Sequence, residues 1–141
     1  MAARRYQLTI ERNLFITKAA MGGPGGHYVV RLLVDTGSQF TIVPWEVIEA
    51  IGYDPGAQQQ RQRYVSTTST TSAPVVLLER FACLGRTLTQ FPILSYTLPF
   101  APLVDGILGM DFLHRFQFKI DTRRGMIESY EAGPPRAVRG G

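Results

Sequence analysis

Apolar and polar side chains alternate from Tyr6 to Ile10, the pattern of a strand with one exposed face, and Leu14 to Ile16 carries a second short strand. GGPGG, Gly22 to Gly26, reads as a turn or loop that delivers the chain to HYVVRLLV. That β-branched, apolar run predicts a strand, and the simplest arrangement is a hairpin ending at Asp35. The period then changes. In WEVIEAIGY, Trp45, Ile48 and Ile51 recur about one helical turn apart, Pro44 suits the first helical position and Gly52 stops the helix.

From Arg61 to Leu78, a centre made only of Ser and Thr lies between two β-branched arms. Extended chain is favoured there, which predicts a hairpin projecting from the body with a polar tip in water, although composition alone also permits a Ser/Thr-rich flexible loop. FACLGRTLTQFPILSY predicts two more short strands around Gly85. Next come the apolar pair Ile107-Leu108, then Gly109, then a short helix with Asp111 at its N-cap. FQFKI and MIESY flank a DTRRG turn and form a last hairpin. Beyond Glu131, AGPPRAVRGG has too few apolar residues to pack, so the reading is one domain over 1–131 and a mobile tail over 132–141. Many short strands, Gly and Pro turns and two small helices make the domain mainly β.

Composition narrows the function classes. A chain of 141 residues, 45% hydrophobic and 18% charged, is long enough for one buried core and too apolar for disorder across its main body. The net charge of +4 points towards nucleic acid until the arginines are located. Only Arg4-Arg5 and Arg123-Arg124 are adjacent, and a nucleic-acid face needs a basic cluster, so solvated surface charge is the better reading. Cys83 is the single cysteine, which excludes a disulfide within the chain and a Cys cluster for zinc. His27 and His114 have no ligand spacing, and no cofactor or metal is expected. Glu11 and Arg12 interrupt the apolar segment that a signal peptide would need, and no apolar run approaches membrane-spanning length. A soluble, cytoplasmic protein without membrane contact is the expectation.

One carboxylate then demands a reason. LLVDTGSQFTIVP drives an apolar strand into Asp35, and a carboxylate at such a place is costly unless it is hydrogen-bonded or its proton affinity shifts. Thr36 supplies a hydroxyl that can be buried and bonded, and Gly37 lets another backbone approach without a Cβ in the way. Asp-Thr-Gly alone is a moderate signal, arising by chance in a chain of this length on the order of a few per cent of the time. With VDGILGMDFL some sixty residues later, the pair of motifs resembles the retropepsin-like aspartic proteases, the single-domain relatives of retroviral proteases.

The resemblance runs from about Tyr6 to Tyr130 and implies an acid-protease β-barrel domain active as a two-fold homodimer. It implies that Asp35 is catalytic, that Thr36 and Gly37 hold its loop, and that Ile107-Leu108-Gly109 packs beneath it. It also places Ser38 and the hairpin-tip residues Thr68, Ser69 and Thr70 against a peptide substrate. Aspartic proteolysis needs two carboxylates sharing one proton, and this chain has one complete motif. Asp105-Gly106 lacks the Thr, and Asp121-Thr122 is followed by Arg123, so Asp105 reads as a loop residue and Asp121 as a turn residue. A second copy is the remaining source of the second carboxylate. Two departures point away from the viral branch and towards cellular or bacterial relatives. An Arg after the second-motif glycine, paired to an Asp after the catalytic loop, is absent, those places holding Met110 and Gln39 or Phe40, and the hairpin tip lacks the glycines of a viral flap. The alternative to an endopeptidase is a catalytically weak or inactive peptide-binding or dimerisation module of the same fold.

Overall fold

In the computed structural model, which describes residues 3–65, 70–98 and 103–131, nearly every alternating segment is a strand. The strands are β1 (Arg4–Gln7), β2 (Thr9–Glu11), β3 (Leu14–Gly23), β4 (Gly26–Val34), β5 (Ile42–Val43), β6 (Arg61–Val65) and β7 (Thr70–Leu78). They continue with β8 (Arg80–Cys83), β9 (Arg86–Leu88), β10 (Phe91–Ser95), β11 (Gly106–Leu108), β12 (Gln117–Asp121) and β13 (Met126–Tyr130). Two short helices, α1 (Trp45–Ala50) and α2 (Met110–Leu113), and one 3-10 turn at Pro55–Ala57 complete it. The fold is mainly β, as the pattern predicts. Among the described residues no helix is long and apolar enough to cross a membrane.

A large curled sheet runs in the order β6-β7-β10-β5-β11-β4-β3-β8-β9, and β2 shares with β8 the far edge of β3. β1, β13 and β12 form a separate three-stranded sheet in which both ends of the domain meet, Arg4 opposite Ser129 and Gln7 opposite Met126. The decisive insertion is β11. It lies parallel to β4, Gly106 to Leu108 against Leu32 to Val34, and antiparallel to β5 through Ile107 and Ile42. Sequence neighbours β4 and β5 are thereby held one strand apart, and the segment between them must form a loop.

Two apolar clusters support this arrangement. The larger gathers Met21, Val30, Leu32, Ile48, Phe81, Phe91 and Phe112, with the ring centroids of Phe81 and Phe91 4.9 Å apart and those of Phe81 and Phe112 5.5 Å apart. Full burial of one such ring is worth about 1.5–3 kcal/mol. The smaller cluster, Ile42, Ala73, Val75, Leu94, Leu98 and Ile107, seats the β6–β7 hairpin on the body.

Three local expectations change. Gly22, Gly23 and Gly26 belong to strands, leaving only Pro24-Gly25 as the turn. The glycines serve a close approach: a Cβ on Gly23 would lie 2.5 Å from the Ile51 carbonyl oxygen, and Gly25 donates its N–H to that same oxygen at 2.8 Å. Pro44 is the N-cap of α1, one residue before its first turn. The segment around Gly85 contains three strands, because Phe91–Ser95 pairs with β7 and β5 in addition to the β8–β9 hairpin. The hairpin over Arg61 to Leu78 forms as expected, with Arg61 opposite Pro74 and Val65 opposite Thr70. The tail expected over 132–141 lies outside the described residues.

Candidate active site

Asp35 is the first residue past β4, and its N–H still donates to the Leu108 carbonyl at 3.0 Å, the last rung of the β4–β11 ladder. The chain then reverses. Ser38 N–H donates to the Asp35 carbonyl at 3.2 Å, and Gly37 N–H donates to Asp35 Oδ1 at 2.9 Å. A Cβ on Gly37 would stand 3.2 Å from that same oxygen, so glycine at this position keeps the amide and the carboxylate in contact. The half-buried Asp35 side chain is aimed by its own loop.

Of the other residues singled out from the sequence, Ser38 stays at the cleft with Asp35 and Gly37, and the rest, among the described residues, do not gather there. Ser38 is buried and turns inward, its hydroxyl donating to the Phe40 carbonyl at 2.8 Å. Thr36, expected to bury its hydroxyl, is exposed instead, and among the described residues it makes no side-chain hydrogen bond. Thr70 opens β7, is exposed, and does not line the cleft that holds Asp35. Thr68 and Ser69 lie outside the described residues. Asp105 and Asp121 are structural, as the residues imply: Asp105 Oδ2 accepts the Arg31 N–H at 2.8 Å, and Asp121 Oδ1 accepts the N–H groups of Arg123 and Arg124 at 3.0 and 3.1 Å.

Beneath the loop, the missing ion pair has a replacement. Met110 and Asp111 donate their N–H groups to the carbonyls of Ser38 and Gln39 at 2.8 and 3.1 Å. Gly109, the true N-cap of α2, comes so close to Phe40 that a Cβ would collide with its backbone. Asp111 is therefore in the first turn, inside the helix and not at its N-cap. It accepts from Thr41 twice, from the N–H at 2.9 Å and from the hydroxyl at 2.7 Å, while the Thr41 hydroxyl accepts the Gly109 N–H at 3.2 Å. Burial pushes the Asp111 carboxyl above its ordinary range, and the Thr41 bonds and the Arg115 charge pull it back in part. Thr41 is fully buried, and this clamp joins the exit of the Asp35 loop to the start of α2.

Asp35 opens into a cleft of about 410 Å³ whose walls are Gly37, Ser38, Gln39 and Phe40 on the loop side and Arg63 and Tyr64 on β6. Behind Phe40 a second cavity of about 190 Å³ lies between Gln60, Gln62, Val75, Pro92, Leu94 and Asp111. Sequence reasoning missed Arg63, Tyr64 and Phe40 as cleft residues. The charged and aromatic residues inside the strand arm RQRYV were the available signal. Among the described residues, no group of three or more His, Cys, Asp or Glu could hold a metal ion.

The profile of the aspartyl protease family matches residues 18–112, spanning the Asp35 loop, the hairpin and Gly109. In structure the chain is similar to a retropepsin-like aspartic protease from Rickettsia conorii, with a TM-score of 0.67, 18% sequence identity and coverage of 91% of each chain. No curated protein matches it in sequence. The fold is retropepsin-like.

Proposed function

The chain belongs to the aspartyl protease family, and we propose that it is an endopeptidase whose working unit is a two-fold dimer, each subunit supplying one Asp35. The observation that carries this reading is the Asp35 carboxylate, held by the Gly37 N–H at the cleft between its loop and β6, while Asp105 accepts the Arg31 N–H and Asp121 ends β12 and accepts the Arg123 N–H of the turn to β13. Two carboxylates brought together share one proton because both cannot stay ionised. The ionised one takes a proton from water, the oxygen attacks the scissile carbonyl, and the protonated one hydrogen-bonds the carbonyl oxygen as charge develops there. The exposed Thr36 hydroxyl supports the same reading, since the loop's own bonds leave it facing outward, where a second loop would meet it.

Among the described residues β6 ends the order of the large sheet, and no strand among them pairs with its outer edge, which leaves that edge to an extended peptide while β7 holds the other. An added strand gains main-chain hydrogen bonds along such an edge, and the hairpin would close over the substrate. Cleavage of a mixed peptide library by wild type beside Asp35→Ala, with sedimentation across the micromolar range, tests the proposal. Turnover by wild type alone, from a dimer, is expected. A chain that stays monomeric at high concentration even with a peptide inhibitor present would overturn the dimer, and wild-type protein that binds peptides without cleaving them would overturn the endopeptidase.

A further inference from the structure

The cleft around Asp35 has two charged walls, and the second is a cation. Arg63 stands on β6 opposite Ser72 of β7, and its side chain is exposed at the cleft. Its neighbours hold the strand in place. Two residues earlier, Arg61 donates to the Ser72 hydroxyl at 3.0 Å and to the Ser72 carbonyl at 2.6 Å. One residue later, Tyr64 turns towards Tyr96, their ring centroids 6.2 Å apart, and joins the smaller apolar cluster. The backbone that carries Arg63 is thus fixed on both sides, and Arg63 is an exposed residue lining the cleft.

We propose that Arg63 determines specificity by selecting substrates with a carboxylate side chain near the scissile bond, an inference that rests on the proteolytic reading above. A pair of Asp35 groups sharing one proton carries one negative charge, which alone would repel an acidic substrate. Arg63 reverses that bias on its side of the cleft. A guanidinium stays charged at any working pH and presents a planar fork of donors that matches a carboxylate in two parallel hydrogen bonds. In a two-fold dimer each half of the cleft has its own Arg63, so the acidic preference should occur once on each side of the scissile bond.

The test uses full-length wild type, Arg63→Gln and Arg63→Lys with a peptide library in which every sequence exists as a Glu and a Gln member. The readout is the Glu-to-Gln ratio of kcat/KM, so a general loss of activity in a variant does not count, and thermal melting by circular dichroism checks the fold. Wild type should favour the Glu member on the order of tenfold, Arg63→Gln should bring the ratio near one, and Arg63→Lys should keep part of it. An unchanged ratio in Arg63→Gln, or a wild type that favours Gln, would overturn the inference and leave proteolysis standing. If wild type cleaves nothing, the Kd values of labelled Glu and Gln peptides replace the rates. A Glu preference lost in Arg63→Gln would then sustain the role of Arg63 while proteolysis fails, and equal affinity would remove both.

Discussion

The Asp35 loop and the β6–β7 hairpin face each other across one cleft and are held in opposite ways. The loop is tied at every turn: to β11 through Leu108, to itself through Gly37, and to α2 through Ser38, Gln39 and the Thr41–Asp111 clamp. The hairpin is an edge ladder, exposed at Arg61 and Arg63 along β6, which reaches the core through Tyr64 and through β7. On the proposed function a reacting carboxylate has to be positioned to fractions of an ångström, whereas a strand that covers substrate has to open and close, and two such jobs would call for different densities of bonding.

The largest expected effect comes from the loop. Asp35→Asn should cut peptide cleavage by roughly 10²–10⁴-fold or more, because the amide keeps the shape but can neither take a proton from water nor carry the charge. Circular dichroism should show the fold retained; substantial turnover by folded Asp35→Asn would remove Asp35 from catalysis. Wild-type activity should be bell-shaped in pH, falling when both carboxylates of the pair protonate and again when both ionise.

The clamp and the hairpin then give a matched pair. Thr41→Val removes one donor from Asp111 and the acceptor for Gly109 in a buried setting, and should cost about 1–3 kcal/mol in urea unfolding. Thr70→Val, an exposed hydroxyl on the hairpin, should change stability by less than about 0.5 kcal/mol. Equal costs would break the contrast between the two regions. In the same vein, hydrogen exchange at Thr71 and Ser72 should be faster than at Asp35 and Gly37 in free protein, and a tight peptide inhibitor should slow the hairpin more than the loop. Exchange at the hairpin that ignores the inhibitor would sink its role as a cover.

The smallest effect sharpens the clamp. A carboxyl whose folded proton affinity is raised binds its proton more tightly in the native state than in the unfolded one. Its stabilising contribution is complete below the unfolded value, roughly pH 4, and is lost as pH rises through the raised native value. Asp111→Asn has no such dependence, so its cost relative to wild type should shrink between acid and neutral pH. A cost that grows over that interval would show that the ionised carboxylate is the favoured partner of Thr41.

Much of the molecule was legible because its signals are local. Alternation marked the strands, the Ser/Thr-centred arms marked the hairpin, and Asp-Thr-Gly marked a carboxylate that its own third residue now holds by an N–H. Asp105 and Asp121 were separable from Asp35 for the same reason, since neither is followed by Thr and then Gly. Misplaced were the residues whose role depends on a partner far along the chain. Asp111 reads as an N-cap when only its helix is considered, and Thr41, seventy residues away, takes its carboxylate instead. The glycines of GGPGG read as a loop, and the end of α1 explains why strand residues must lack a Cβ there.

Sequence by itself determined the kind of elements and singled out Asp35 as a carboxylate that its own loop has to hold. Those are properties of short windows. Only the tertiary structure decided which side chains share the cleft with Asp35, because that depends on β11 entering between β4 and β5 and on β7 carrying β6 over the loop. A strand pattern states which face is apolar and is blind to what lies across from it, so Arg63 could be counted among dispersed arginines until the sheet order set it opposite an aspartate.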